Sequence, residues 1–317
     1  MANERIFKRY HGNPIVTAEA VPTANTIFNS AVVKFNDGFA GVFRIDSQAV
    51  LSELHIGFSA DGISWDIKPE RIYFEDNSKG MVTPNYPESC CYDPRVTQID
   101  DIYYITWCHY PAYPKGKGPA IGLAKTTDFK RFELLENILL PYNRNAVLFP
   151  RRIGGQYGIL HRPSDHGQTA FGDIYFSSSP DMINWGRHRF VMGPCWNFWQ
   201  STKIGAGPVP IETSEGWLLI YHGVKASCSG FVYSVGGAIL DLDKPWKVLY
   251  RTKTYLLAPT TDYERVGDTP NVVFPCAATV DKNNRITMYY GCADTSLGIA
   301  FADLDELVKF IKNDNPT

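Results

Sequence analysis

Five times along the chain a short apolar strand runs into a polar turn, often followed by an aromatic residue. The segments are "IGFSADGISWDI", "IGLAKTTDFKRFEL", "IYFSSSPDMINWGRH", "GGAILDLDKPWKVL" and "GIAFADLDELVKFI", starting near residues 56, 121, 174, 236 and 298. Before each comes a second, tyrosine-rich or aliphatic strand opened by a turn: "NDGFAGVFRID", "IDDIYYITWCHY", "IGGQYGILHRP", "SEGWLLIYHGV" and "NNRITMYYGCAD". A unit of strand, hairpin and strand that recurs at intervals of roughly 50 to 65 residues cannot bury its faces alone and has to stack on its neighbours. With few helical windows between the units, the pattern predicts an all-β, five-bladed β-propeller. An irregular pair of β-sandwiches is the alternative, and the constant order of the paired strands speaks against it. Only the first residues and "LDELVKFIKNDN" read as helical. No Pro/Gly/Ser linker divides the chain, so residues 1–317 are expected to form a single propeller domain.

Composition narrows the partners. The 31 basic and 33 acidic residues leave a net charge of −2, which argues against nucleic acid or an anionic membrane surface. The 18 Tyr, 18 Phe and 7 Trp suit β-strands, and would equally suit a site that stacks sugar rings. Seven scattered cysteines without a CxxC pair, and seven histidines without HExxH spacing, predict no disulfide framework and no metal site. The N-terminal stretch lacks the apolar core of a signal peptide, and no run of about 18 apolar residues appears. The expectation is a reduced, cytoplasmic protein.

In a propeller, equivalent strand ends meet at one mouth of the central channel. The tyrosine-rich strands end in Arg44 and Asp46, His109, His161 and Arg162, His222, and Asp294. Their shared position predicts that they converge on a ligand pocket. A candidate proton donor stands in "YDPRV". On a regular strand Asp93 would share a face with Arg95, and the resulting ion pair would be structural and would lower the aspartate pKa. Downstream lies a basic set: Arg144 in "PYNRNAVLFP", Arg162 in "GILHRPSDHG", Lys203 in "WQSTKIGAGPVPI" and His222 in "GWLLIYHGV". Placed at blade-strand ends, these four would form a cup for a doubly charged oxyanion such as phosphate. No GxxxxGK[ST] loop and no GxSxG elbow is present, which leaves sugar chemistry assisted by an anion.

Between about residues 26 and 294, "NTIFNSAVVKFNDGFAGVFRID", "YDPRV", "NRNAVLFPRRIGGQYGILHRPSD", "WQSTKIGAGPVPIETSEGWLLIYHGV", "GGAILDLDKPWKVLYRT", "YERVGDTPNVVF" and "YYGCAD" resemble glycoside hydrolase family 130. The resemblance implies a five-bladed propeller and, in most members, inverting phosphorolysis of β-mannosides. It further implies that Asp93 is the general acid, acting through the 3-hydroxyl of the mannose. Phosphate would be held by Arg144, Arg162, Lys203 and His222. The mannosyl unit would be held by Asn29, Ser30, Arg44, Tyr92 and Asp294, and the acceptor sugar by Tyr233, Pro270, Asn271 and Phe274. The implied reaction converts a non-reducing-end β-1,4-mannoside, either a mannooligosaccharide or mannosyl-N-acetylglucosamine, into α-mannose 1-phosphate. It needs inorganic phosphate as co-substrate and no cofactor, and the resemblance leaves room for a homo-oligomer.

An inverting hydrolase needs two carboxylates spaced around a water, about 6.5–9.5 Å apart. A phosphorylase needs only the acid, because phosphate is already an anionic nucleophile that cationic ligands can hold in line. One aspartate with four basic groups therefore points to phosphorolysis. The rivals are a β-mannosidase with Glu264 suspected as its base, a mannosylglucose phosphorylase, a non-catalytic sugar-binding propeller, and a furanosidase-like hydrolase. Segments 111–118 and 163–171 are candidates for shaping the acceptor site. Trp196, Phe198 and Trp199 are candidates for stacking a sugar or for the core.

Overall fold

A computed structural model describes residues 6–49, 51–75, 89–110, 118–164, 172–195, 199–228 and 230–315. Five antiparallel sheets form a ring, in chain order, and each is built outward from the strand nearest the axis. Blade 1 comprises Ala24–Phe35, Gly38–Ser47, Ser52–Ser59 and Asp66–Arg71. Blade 2 runs through Cys90–Ile99, Ile102–Tyr110, Ala120–Thr126 and Phe132–Leu134, with Phe74–Glu75 added in parallel at its rim. Blade 3 holds Asn143–Leu148, Tyr157–Pro163, Ile174–Ser179 and Gly186–Met192. Blade 4 holds Lys203–Ala206, Gly216–Ser227, Gly230–Leu240 and Val248–Arg251, with Ile211–Thr213 beside the second strand. Blade 5 holds Val273–Val280, Arg285–Cys292 and Ser296–Asp303.

The fourth strand of blade 5 comes from the other end of the chain. Lys8 and Arg9 pair with Phe301 and Ala300, so the first described residues are extended where the sequence suggested helix. The outer edge of the last blade offers unpaired backbone groups, and a strand satisfies them where a helix could not. Arg9 then locks the closure: its guanidinium donates to both oxygens of Glu264, at 2.7 and 2.9 Å. The expected C-terminal helix is present at Leu304–Asn313, capped by Asp303 accepting from the Glu306 amide, and it buries Leu307, Val308 and Ile311 against blades 4 and 5.

The inner strands of each blade are covered on both faces, which explains why they read as nearly continuous apolar runs, while outermost strands such as Asp66–Arg71 and Gly186–Met192 are largely exposed. Alternate residues of one strand serve opposite neighbours. Ile105 packs toward blade 1 and Tyr104 toward blade 3; Tyr289 packs toward blade 1 and Tyr290 toward blade 4. The repeated polar turn also has a common structure. Asp61, Asp128 and Asp181 each accept two backbone amides of their own turn while Ser59, Thr126 and Ser179 brace them, and Asp241 does the same in blade 4. Such side chains mimic the missing backbone partner of a tight turn. On the axis, Val32, Val96, Pro150, Val209 and Ala277, one from each successive blade or the loop leaving it, line an apolar cavity of about 250 Å³. No described helix is long and apolar enough to cross a membrane, and all seven cysteines are unpaired.

Candidate active site

The innermost strands are not regular. Pairing slips between Phe28 and Ala31 in blade 1, Tyr92 and Arg95 in blade 2, Arg144 and Val147 in blade 3, and Pro275 and Ala277 in blade 5. At three of these slips the backbone turns left-handed, at Asn29 (φ 43°), Asp93 (φ 52°) and Asn145 (φ 54°). A bulge bends its strand and re-aims the extra side chain, and Asn and Asp are the residues that tolerate positive φ. The regular strand expected around Asp93 is thus corrected. The bulge breaks the alternation that would have placed Asp93 and Arg95 on one face.

Freed from Arg95, the Asp93 carboxylate meets two other blade residues. Its Oδ1 accepts from Arg44 Nη1 at 2.8 Å and from Asn29 Nδ2 at 2.9 Å. Both bonds fall on one oxygen, and Oδ2 has no hydrogen-bond partner among the described residues. Arg44 is the hub of this side of the pocket. It chelates Asp46 through Nε and Nη2, at 2.9 Å each, and lies over the rings of Phe28 and Tyr92 at 4.1 and 5.2 Å. Burial opposes its charge, but Asp93, Asp46 and Asp294 outweigh burial and push its pKa up. Asp294 sits at the left-handed end of the second strand of blade 5 (φ 49°), and burial raises its carboxyl to about 6 despite the nearby Arg44. Ser30 is fully buried and donates to Phe28 O at 2.9 Å, bracing the bulge that presents Asn29.

The basic residues gather next to this group. Arg144 donates to the hydroxyls of Ser164 (2.7 Å) and Tyr110 (3.1 Å), with Tyr92 as a further partner. Tyr92 and Tyr110 stack with centroids 5.9 Å apart, joining the Arg44 side to the Arg144 side. Arg162 is buried, donates to His222 Nε2 at 3.0 Å, and pairs with no carboxylate among the described residues. Lys203 is buried with its ammonium over the rings of Phe231 and Tyr233, at 4.6 and 5.6 Å. His222 differs from the cation expected of it. Burial, reinforced by Arg162, Arg95 and Lys203, holds its pKa well below the ordinary value. Since Nε2 accepts a hydrogen bond, the proton resides on Nδ1, which is buried and has no partner among the described residues. The pocket offers three cations and one neutral N–H donor.

Phe274 and Tyr233 wall the pocket beside His222, with ring centroids 4.5 and 6.0 Å from the imidazole. Burial raises the Tyr233 hydroxyl to about 12, so it stays protonated. The Tyr233 amide donates to Asn271 O at 3.0 Å, tying blade 4 to the loop that enters blade 5. Pro270 is exposed on that loop.

Two expected members of the pocket lie elsewhere. His161 bonds Asn143 Oδ1 and Ser177 Oγ at 3.1 and 2.7 Å, inside blade 3, while its neighbour Arg162 takes the opposite face. His109 faces Cys91 at 3.7 Å, and the next residue, Tyr110, reaches Arg144. Strand alternation lets only one of two adjacent residues point inward, and "HR" and "HY" do not say which. Tyr110 and Ser164 are missed for a different reason, since a strand-end hydroxyl carries no charge signal. Trp199 is core: it stacks on Tyr221 at 5.9 Å and donates to Lys253 O. Residues 111–117 and 165–171, and with them most of the two candidate acceptor segments, lie outside the described residues, as do Trp196 and Phe198. Glu264, the suspected base, is fully buried, and its oxygens accept from Arg9, the Tyr290 hydroxyl at 3.0 Å and the Thr260 amide at 2.8 Å.

A sequence profile of the glycoside hydrolase 130 family, described as beta-1,4-mannooligosaccharide phosphorylase, matches residues 2–313. A beta-1,4-mannooligosaccharide phosphorylase from Ruminococcus albus is 55% identical over 309 residues, which is 96% of this chain and 90% of that protein. A 4-O-beta-D-mannosyl-D-glucose phosphorylase from Bacteroides fragilis is 26% identical, covering 90% of this chain and 75% of the relative. Among solved structures, the beta-1,2-mannobiose phosphorylase of Listeria innocua, in complex with beta-1,2-mannobiose, superposes with a TM-score of 0.83. It is 30% identical and covers 97% of this chain and 99% of its own. With a five-bladed ring, a matching profile along nearly its whole length and a relative at 55% identity, the chain belongs to glycoside hydrolase family 130.

Proposed function

We propose that the protein is a β-1,4-mannooligosaccharide phosphorylase. It transfers the non-reducing-end mannosyl unit to inorganic phosphate with inversion, giving α-mannose 1-phosphate and a shortened acceptor. Asp93 supplies the proton for the departing oxygen, relayed by the 3-hydroxyl of the mannose. Arg44 and Asn29 fix its Oδ1, which leaves Oδ2 to meet that hydroxyl. Asn29, Arg44, Tyr92 and Asp294 hold the mannosyl unit, with Ser30 behind them. Tyr233, Asn271 and Phe274 border the acceptor. Arg144, Arg162, Lys203 and the Nδ1–H of His222 hold phosphate in line with the anomeric carbon, where an anion's charge is worth most in a water-poor pocket. No cofactor enters the scheme, and residues 1–317 act as one propeller domain.

The observation that carries this reading is the buried Arg162, uncompensated by any described carboxylate and set beside Arg144, Lys203 and His222. A hydrolase would need a second carboxylate there as base. The suspected one, Glu264, is committed to Arg9, Asp46 is chelated by Arg44, and Asp294 groups with Asp93 and Asp46 about Arg44. The 55% identity to a phosphorylase named for β-1,4-mannooligosaccharides favours that linkage over mannosylglucose. The test is to incubate the protein with β-1,4-mannobiose, mannosylglucose and mannosyl-N-acetylglucosamine, with and without phosphate. α-Mannose 1-phosphate should form from the mannobiose only when phosphate is present. Equal cleavage in phosphate-free buffer would sink the reading.

A further inference from the structure

Among the described residues, Arg95 is the largest fully buried charged side chain that the proposed reaction leaves unused. It is 1% exposed and pairs with no carboxylate among the described residues. Its guanidinium reaches across the channel from blade 2. Nε donates to Gly207 O, on the inner edge of blade 4, at 2.7 Å, and Nη1 donates to Asp93 O and Pro94 O at 3.2 and 3.0 Å. The carbon of the guanidinium lies 5.6 Å from the centre of the Phe274 ring in blade 5, and Nη2 is buried without a partner among the described residues. Gly207 itself has no room for a side chain, because a Cβ there would come within 2.8 Å of Ile220 O and 3.0 Å of Pro275. An uncompensated buried cation is costly, so stability alone gives a poor reason to keep one.

We infer that Arg95 is a positioning residue: its fork clamps the two carbonyls of the Asp93 bulge to the opposite blade, and its charge adds to the field that holds the anion. Of the three bulges with a left-handed residue, only this one carries the proton donor. A planar fork can hold two neighbouring carbonyls and a third across the channel at fixed angles, whereas an ammonium cannot. The charge acts on the same pocket, since Arg95 is among the groups that keep His222 neutral. This inference rests on the phosphorylase reading above.

Two variants separate the fork from the charge. In Arg95→Lys the cation remains but the clamp is lost. We expect kcat per folded molecule to fall about 100-fold, the scale of a small misplacement of a reacting group, with KM for phosphate within about twofold of wild type. In Arg95→Gln the charge is lost as well, and KM for inorganic phosphate should rise about tenfold further. Melting temperature and circular dichroism report the folded fraction in each case. A merely structural arginine would lower the melting temperature while leaving kcat and KM of the folded fraction unchanged, and that result overturns the inference. So does failure of both variants to fold, which would make Arg95 a folding residue. Wild-type protein that shows no phosphate-dependent product defeats the reading of function instead. Wild-type turnover with an unimpaired Arg95→Lys defeats only this step.

Discussion

Buried charge is treated in opposite ways in two parts of this propeller. At the ring closure, Arg9 and Glu264 are almost wholly shielded from water and satisfy each other through two short bonds, with Tyr290 and the Thr260 amide completing the carboxylate. Where blades 3 and 4 meet, Arg162 is equally buried but has only an imidazole nitrogen, and weakly Ile204 O at 3.4 Å, as partners among the described residues. The first arrangement is complete as it stands and serves only the fold. The second has no matching charge among the described residues, as the proposed phosphate site requires, and burial lowers the Arg162 pKa. The two arrangements share residue types and differ in whether the buried charge is matched.

The comparison can be broken at several points. The largest effect is expected at Asp93, which accepts from Arg44 and Asn29 and is the proposed proton donor. Asp93→Asn should lower kcat about 1000-fold, within the range of a lost general acid and worth about 4 kcal/mol. Steady-state kinetics with mannobiose and phosphate would read it, and near-wild-type turnover would remove Asp93 from that role. Next, Glu264→Gln strands the Arg9 cation and should cost about 3 kcal/mol of stability in denaturant titration. Turnover of the folded fraction should stay at the wild-type level, whereas a catalytic base would take kcat down with it.

Removing the other buried arginine should do the reverse. Arg162→Met, melted without phosphate, is expected to be no less stable than wild type, because an uncompensated charge has gone. The wild type should gain about 2.7 kcal/mol at a phosphate concentration 100 times its Kd, and the variant should gain almost nothing. Calorimetry in matched buffers checks both halves. The smallest effect concerns Asp294. Its folded pKa, about 6, lies above the ordinary carboxylate value near 4. Between roughly pH 4 and 6 the native state therefore holds a proton that the unfolded chain has released, so wild-type stability falls as pH rises through that window. Asp294→Asn should flatten the slope, by on the order of 1 to 2 kcal/mol across it. An unchanged pH profile would place the raised pKa elsewhere.

Much of the architecture is legible in the residues alone. The strand-turn-strand period identifies the blades because a sheet covered on both faces must be apolar at nearly every position, and its turns must supply their own polar partners. Ser59 with Asp61, Thr126 with Asp128 and Ser179 with Asp181 carry that signal in the sequence itself. The blocks around "YDPRV" and "GILHRP" likewise reveal which residues can carry charge into a pocket. The N-terminal strand is not legible in this way, since two residues have no period, and the edge they pair with lies almost 300 positions away.

Residues read in order supply the inventory: five repeats, one aspartate before a proline, and four basic or imidazole side chains at strand ends. Their aim is set by the folded chain. Whether His161 or Arg162 enters the pocket, and whether Asp93 meets Arg95 or Arg44, depends on strand register, which one inserted residue inverts. Bulges are settled by pairing between neighbouring strands of a blade, and composition along a single strand does not record them.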